Sequence, residues 1–101
     1  MIRNIHRYMF DDKISLYEIR NSLFLAMFSA EDMLDWNVEW TYDRLEEPIY
    51  HLDKKKHACV LDVSTPMGRT VARIFNRLLT RQFGEFGFDV ERIDVIGQGL
   101  T

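Results

Sequence analysis

The sequence predicts an α+β fold, a two-layer sandwich in which two helices pack on one face of a mainly antiparallel sheet. Three observations predict it: a short apolar run that suits a buried strand, two stretches with helical apolar spacing, and segments of alternating polarity between them. The predicted order is β-α-β-(β)-β-α-β, where the bracketed strand is optional. This order is compatible with a ferredoxin-like topology, an architecture that serves many unrelated functions.

The first strand and the first helix are predicted near the N-terminus. In residues 5–10, IHRYMF, successive side chains would lie on opposite faces of a strand, and Asp-Asp-Lys then breaks that strand. Ser15 and Glu18 then form the S-x-x-E capping box that starts a helix, and Ile14 and Ile19 occupy the positions of the hydrophobic staple. We therefore expect a helix from Ser15 to about Asp35.

This first helix has more apolar surface than a sheet-facing helix needs. Its main apolar positions run from Leu16 to Leu34, and a second stripe of Tyr17, Phe24 and Phe28 widens that face. We expect part of this surface to meet another chain.

The middle and the end of the chain predict the remaining strands. Residues 38–43 alternate between aromatic or apolar and acidic or polar side chains, and residues 49–52 suit a short optional strand. Ala58–Val63 is an apolar run typical of a strand covered on both faces. Residues 86–95 predict the last strand, with a bulge near Glu91-Arg92, because Phe88 and Ile93 fall on opposite faces of a regular strand.

The second helix follows Ala58–Val63 directly. Thr65 is the expected N-cap, Pro66 suits the first helical position, and Gly84 supplies the stop. The apolar residues of the predicted core face are Met67, Val71, Ile74, Phe75, Leu78 and Leu79. The opposite face carries a row of arginines at every fourth position: Arg69, Arg73, Arg77 and Arg81.

Composition indicates one domain over residues 1–101, with 47% hydrophobic residues and a formal net charge of −3. The one cysteine, Cys59, excludes an internal disulfide and is interpreted as a small buried hydrophobe. The N-terminal residues lack the pattern of a secretory signal, and no apolar run is long enough to span a membrane. A cytoplasmic location is therefore expected, and no motif calls for a cofactor.

The turn between the strand at Ala58–Val63 and the second helix is a candidate anion-binding or enzyme site. Backbone N–H groups at a helix start attract anions, and the candidate residues are Ser64, Thr65, Gly68 and Arg69. The turn lacks the spacing of a P-loop, so an ordinary capped helix start is the more common interpretation.

A basic surface is the second candidate, formed by the arginine row together with Lys54, Lys55 and Lys56. Nucleic acid would need such a surface, although the net charge has the opposite sign to that of most nucleic-acid-binding domains. Residues 31–47 hold seven acidic residues against Arg44 alone, so an acidic surface of the same or another chain is an alternative partner for the row.

The remaining polar residues carry weaker signals. Glu31 follows the aromatic stripe and would act as an acid or base only if it were buried. His6, His51 and His57 lie on different segments without metal-ligand spacing, so no metal site is expected.

The sequence thus favours a small module that works by association with a protein, most simply with a second copy of itself. Nucleic-acid binding through the arginine row and small-anion binding or catalysis at residues 62–69 are the alternatives.

Overall fold

The computed structural model describes residues 2–35 and 50–96. The elements in chain order are β1 (Ile2–Phe10), α1 (Leu16–Asp35), β2 (Tyr50–Asp53), β3 (Ala58–Asp62), α2 (Pro66–Phe83) and β4 (Phe88–Ile96). The four strands form one antiparallel sheet in the order β2-β3-β1-β4, and both helices pack against it. The predicted α+β sandwich is confirmed, and its strand order is that of a split β-α-β fold.

The sheet is built around β1, which lies between β3 and β4. Tyr8 of β1 is opposite Cys59 on one side and Val90 on the other, so these three residues share a face of the sheet. Tyr8 is fully buried, and its ring meets that of Phe75 from α2 at a centroid distance of 4.9 Å. This is the face that carries the helices and the hydrophobic core.

The start of α1 follows the sequence signals. The hydroxyl oxygen of Ser15 accepts a hydrogen bond from the backbone N–H of Glu18 at 3.1 Å. Ile14 and Ile19 are both buried, as the hydrophobic staple requires. Together these contacts fix the direction in which the chain enters the helix.

Both ends of α2 are confirmed as well. The hydroxyl oxygen of Thr65 accepts from the N–H of Gly68 at 3.0 Å, and Pro66 is the first helical residue. Gly84 ends the helix with a φ of 77° and donates its N–H to the carbonyl of Thr80 at 2.9 Å. A left-handed φ is open to glycine because it has no Cβ.

Cys59 belongs to the core, as the sequence predicts. It is fully buried in β3, and burial raises the pKa of its thiol to about 12. Because the thiolate is the reactive form, this environment keeps the group unreactive at neutral pH.

Three expectations about the strands have different outcomes. The strand predicted at residues 38–43 lies outside the described residues, and the optional strand predicted at 49–52 is present as β2, Tyr50–Asp53. The bulge predicted near Glu91-Arg92 is wrong, because the pairing of β1 with β4 is continuous from Phe10–Phe88 to Ile2–Ile96.

The physical reason for the regular strand lies on the face of the sheet away from the helices. Ile93 is opposite Ile5 there, and Ile5 is buried. The two side chains find an apolar neighbour in each other, so β4 needs no bulge to cover Ile93.

Neither α1 nor α2 combines the length and the apolar character that crossing a membrane requires.

Candidate functional site

The predicted anion site at the start of α2 has most of its polar groups engaged within the turn. The hydroxyl oxygen of Ser64 accepts from the N–H of Asn4 at 2.8 Å, and the Asp62 carboxylate accepts from the N–H of Ser64 at 2.8 Å. The N–H of Gly68 is used by Thr65. An anion at this turn would have to displace these hydrogen bonds and would meet the charge of Asp62, so this site stays a prediction.

Gly68 has a packing role in the same turn. A Cβ built on it would lie 2.1 Å from the backbone carbonyl oxygen of Asp62. The first turn of α2 therefore lies against the end of β3 at a distance that only glycine permits. This contact explains the glycine without a ligand.

The residues of the basic surface predicted from the sequence lie on two elements, α2 and the β2–β3 turn. Arg69, Arg73, Arg77 and Arg81 are all exposed along α2. Lys54, Lys55 and Lys56 form the β2–β3 turn, at the opposite end of β3 from the start of the arginine row. The lysines therefore do not extend the first turn of the row.

No acidic side chain of the described segments is paired with the arginine row. The ion pairs in these segments join Arg3 to Asp62 at 2.5 Å and Arg7 to Glu91 at 3.7 Å. Glu31 is exposed on α1, and the predicted acidic strand face at residues 39–43 lies outside the described residues.

The row borders a cavity that the sequence analysis did not identify. This cavity, of about 380 Å³, lies between the first half of α2 and the paired ends of β1 and β4. Its polar lining consists of Asn4, His6, Arg69, Arg73, Asn76 and Arg92, together with Asp94. We call it the α2–β4 cavity.

The sheet contributes the floor of the α2–β4 cavity through two cross-strand pairs. His6 is opposite Arg92, and Asn4 is opposite Asp94. These residues have the same parity as Tyr8, so they lie on the helix-bearing face, beyond the edge of the apolar core. The helix contributes Arg69 and Arg73, which are one turn apart.

The α2–β4 cavity combines positive charge with polar atoms that lack partners. Nδ1 of His6 and Oδ1 of Asn76 are buried and make no hydrogen bond within the described residues. Burial and the charge of Arg92 lower the pKa of His6 below its ordinary value of 6.5, so its ring is neutral at pH 7. Most buried polar atoms in proteins are hydrogen-bonded, so each of these two atoms calls for an explanation.

The sequence contained a signal for this cavity. In a regular β4, Arg92 and Asp94 share the parity of Phe88, and in β1 Asn4 and His6 share the parity of Tyr8. A bulge near Glu91-Arg92 would place Arg92 on the other face of the sheet. The predicted bulge therefore separated Arg92 from Asn4 and His6, and the cavity was not predicted. A strand face that changes from apolar to polar marks the edge of a core and a place for a polar site.

The other polar candidates do not come together. His51 lies on β2 opposite Val60, on the face without helices. His57 has a φ of 53° in the β2–β3 turn, and its Nε2 is hydrogen-bonded to the carbonyl of Ile14. In residues 2–35 and 50–96 no group of three or more potential metal ligands is assembled.

Within residues 2–35 and 50–96, most of the aromatic stripe of α1 is uncovered. Tyr17 and Phe28 are each 69% exposed, although both are on a helix that packs against the core. Phe24 is partly buried, and its ring meets Tyr50 at a centroid distance of 6.0 Å. A groove of about 220 Å³ runs between α1 and the edge strand β2, lined by Phe24, Met27, Phe28, Glu31 and Tyr50.

Comparison of the chain with protein families, with curated proteins and with solved structures found no match in any of the three. The split β-α-β arrangement supports many unrelated functions. The surfaces of this chain are therefore the basis for its proposed function.

Proposed function

We propose that the protein is an association module that forms a homodimer through the outer face of α1. The observation that carries this proposal is the exposure of Tyr17 and Phe28, each 69%, on one stripe of α1, where Phe28 also lines the groove next to β2. Large aromatic side chains grouped on one helix are typical of protein-binding surfaces. A cytoplasmic location belongs to the same proposal.

A second copy of the chain is the partner that the residue spacing favours. Arg20, Phe24, Met27 and Glu31 follow one another at intervals of four, three and four residues, the spacing of a helix–helix seam. The seam has a basic residue at its N-terminal end and an acidic one at its C-terminal end. Such a surface is complementary to itself when two copies run antiparallel.

A two-fold axis between residues 25 and 26 gives the expected register. It places Arg20 opposite the partner's Glu31, and Phe24 opposite the partner's Met27. Within one chain Arg20 and Glu31 are about 16 Å apart along the helix axis, too far to pair. The Arg20 guanidinium now lies 5.1 Å from the centroid of the Phe24 ring, so it is already at the seam.

Charge exchange across the seam tests the proposal. The molar mass of the chain is measured by light scattering over a range of concentrations at low salt, where a dimer is expected that weakens as salt is added. Arg20→Glu and Glu31→Arg should each reduce dimerisation, because each places like charges opposite each other. The double variant should restore it, which only an intermolecular pair explains.

A matched pair of phenylalanines provides the control. Phe28→Ser is expected to weaken the dimer, whereas Phe86→Ser should not, although Phe86 is 99% exposed in the turn before β4. A monomer at low salt and high concentration would contradict the proposal. So would equal effects of the two serine variants.

Nucleic-acid binding through the arginine row is a second candidate. It is favoured by the exposure of all four arginines and by their lack of ion pairs within the described residues. A phosphate backbone would use Arg77 and Arg81 as much as Arg69 and Arg73. Affinity for single- and double-stranded probes should then fall steeply with salt and fall further in Arg73→Glu and Arg81→Glu alike; flat titrations at low salt would dismiss it.

A further inference from the structure

We propose that the α2–β4 cavity binds a small phosphate monoester of a polyol, with the phosphate on the arginines and the hydroxyl groups on Asn76 and Asp94. The site shares no residue with the α1 seam. It is therefore independent of the proposed homodimer, and either can fail without the other.

Only the first two arginines of the row contribute positive charge to the cavity. Arg69 and Arg73 border the cavity from α2, and Arg92 reaches it from β4. Arg77 and Arg81 belong to the same row but lie beyond the cavity, around Thr80. Guanidinium groups that approach from two elements suit the tetrahedral, doubly charged phosphate, since each offers paired N–H donors.

The three arginines are not neutralised by ion pairs within the described residues. None of them takes part in an ion pair there, and Asp94 is the one carboxylate of the lining. Like charges gathered at one cleft raise the local concentration of anions. Three guanidinium groups against one carboxylate leave a net positive charge for the ligand to neutralise.

The acceptor side of the cavity requires hydrogen-bond donors on the ligand. Oδ1 of Asn76 is buried and has no partner among the described residues, and an amide oxygen can only accept. The Asp94 carboxylate, which is opposite Asn4 on the sheet, also accepts. Inorganic phosphate alone has too few donors for these oxygens at neutral pH, whereas the hydroxyl groups of a polyol supply them.

His6 provides a further contact between the two sides. Its buried Nδ1 has no partner in the part of the chain that the structure describes, and its place opposite Arg92 puts the ring next to the expected phosphate. A neutral imidazole either donates or accepts at this atom, according to its tautomer. The volume of about 380 Å³ falls within the ordinary range of small-molecule pockets.

Calorimetric titration of the full chain with ribose 5-phosphate tests the proposal. Saturable binding is expected, weaker with inorganic phosphate and weaker still with ribose. No saturable heat with ribose 5-phosphate would overturn the proposal. Equal affinity for inorganic phosphate and ribose 5-phosphate would overturn the assignment of hydroxyl groups to Asn76 and Asp94.

Two arginines of the same row give a matched pair of variants. Arg73→Gln should weaken ribose 5-phosphate binding about tenfold or more, because it removes a charge-assisted hydrogen bond. Arg77→Gln, one turn further on, should leave the affinity within about twofold, since it lies outside the cavity. Both residues are exposed, so neither variant is expected to disturb folding.

Equal losses in the two variants would mean that the ligand follows the helix face and not the cavity, and would overturn the proposal. A single-stranded oligonucleotide that binds where ribose 5-phosphate does not would overturn it as well. Asn76→Ala adds a test of the acceptor side: it should weaken ribose 5-phosphate and leave inorganic phosphate unchanged.

Discussion

His6 and Arg92 are direct partners across β1 and β4, on the face of the sheet that carries the helices. Two strand positions further on, the same face holds Val90 opposite Tyr8, and Tyr8 is fully buried in the core. The sheet therefore changes from apolar to polar within one alternation. This change opens the α2–β4 cavity beneath the arginine row.

Replacement of Arg92 tests the electrostatic relationship of this pair. Burial lowers the pKa of His6, and the positive charge of Arg92 lowers it further. In the Arg92→Gln variant, protonation of His6 no longer places two positive charges side by side. The pKa of His6 should therefore rise. A titration of the imidazole ring signals by NMR measures the change, with Arg77→Gln as a control that should leave the pKa unaltered.

The stability of the protein should respond to the same pair. The pKa of His6 is lower in the folded chain than its ordinary value of 6.5, so the unfolded chain takes up the proton first as the pH falls. His6 therefore lowers the free energy of unfolding below about pH 6.5, and Arg92→Gln should reduce that loss. An unchanged pKa in the variant would contradict the proximity of the two charges.

Asp62→Asn tests the ion pair at the start of α2. Burial raises the pKa of Asp62, but hydrogen bonds from Ser64 and Arg3 outweigh it, and the pKa lies below its ordinary value of 3.8. At pH 7 the variant should lose about 1.5–3 kcal/mol of stability, the usual contribution of hydrogen bonds to a charged group. Urea unfolding at pH 7 measures the loss, with the exposed Asp89→Asn as the control.

The pH dependence of this variant has a definite sign. A carboxylate with a depressed pKa stabilises the fold above its unfolded pKa, and the contribution disappears as the pH falls through the folded value. The difference between Asp62→Asn and the parent protein should therefore shrink below about pH 3.8. A difference of the same size at pH 7 and pH 3 would refute this assignment.

Gly68→Ala tests the close contact between α2 and β3. Its Cβ would lie 2.1 Å from the carbonyl oxygen of Asp62, and that atom belongs to the backbone and cannot rotate away. We expect a loss of about 1–3 kcal/mol, although alanine favours helices over glycine by about 1 kcal/mol. Arg77→Ala, on the exposed face of α2, should change stability by less than about 0.5 kcal/mol. Thermal unfolding of both variants measures the two changes in stability. A Gly68→Ala variant that is as stable as the parent protein would disprove the contact.

Tyr8→Phe tests an unpaired group in the core. The Tyr8 ring is fully buried between strands and α2, and its hydroxyl makes no hydrogen bond within the described residues. Burial raises the pKa of Tyr8 well above its ordinary value of 10.0, so the hydroxyl stays neutral. Removing an unsatisfied buried hydroxyl should leave stability unchanged or raise it by up to about 1 kcal/mol.

The matching control for Tyr8 is its aromatic neighbour in α2. Phe75→Ala should cost about 3–5 kcal/mol, because it removes a large buried ring. Chemical denaturation of the two variants gives both values. A loss of more than about 1 kcal/mol in Tyr8→Phe would mean that the hydroxyl has a partner in the folded protein.

The elements that were correctly predicted depend on neighbours in sequence. Ser15 caps α1 through Glu18, and Thr65 caps α2 through Gly68, each within three residues. Gly84 ends α2 by bonding Thr80, four residues earlier. Such hydrogen bonds follow from the spacing of residue types along the chain, so the sequence by itself determined the helices, their ends and the α+β class.

Only the tertiary structure decided the register of β4 and with it the cavity. The sequence predicts a bulge in β4 because Ile93 falls on the opposite face from the first apolar residues of a regular strand. The partner of Ile93 is Ile5, which lies on the far face of the sheet and belongs to a distant part of the sequence. The same pairing places Arg92 opposite His6 and beneath Arg73, three residues from three different elements. Pairing between distant strands is set by the packing of the whole core, and no local spacing encodes it.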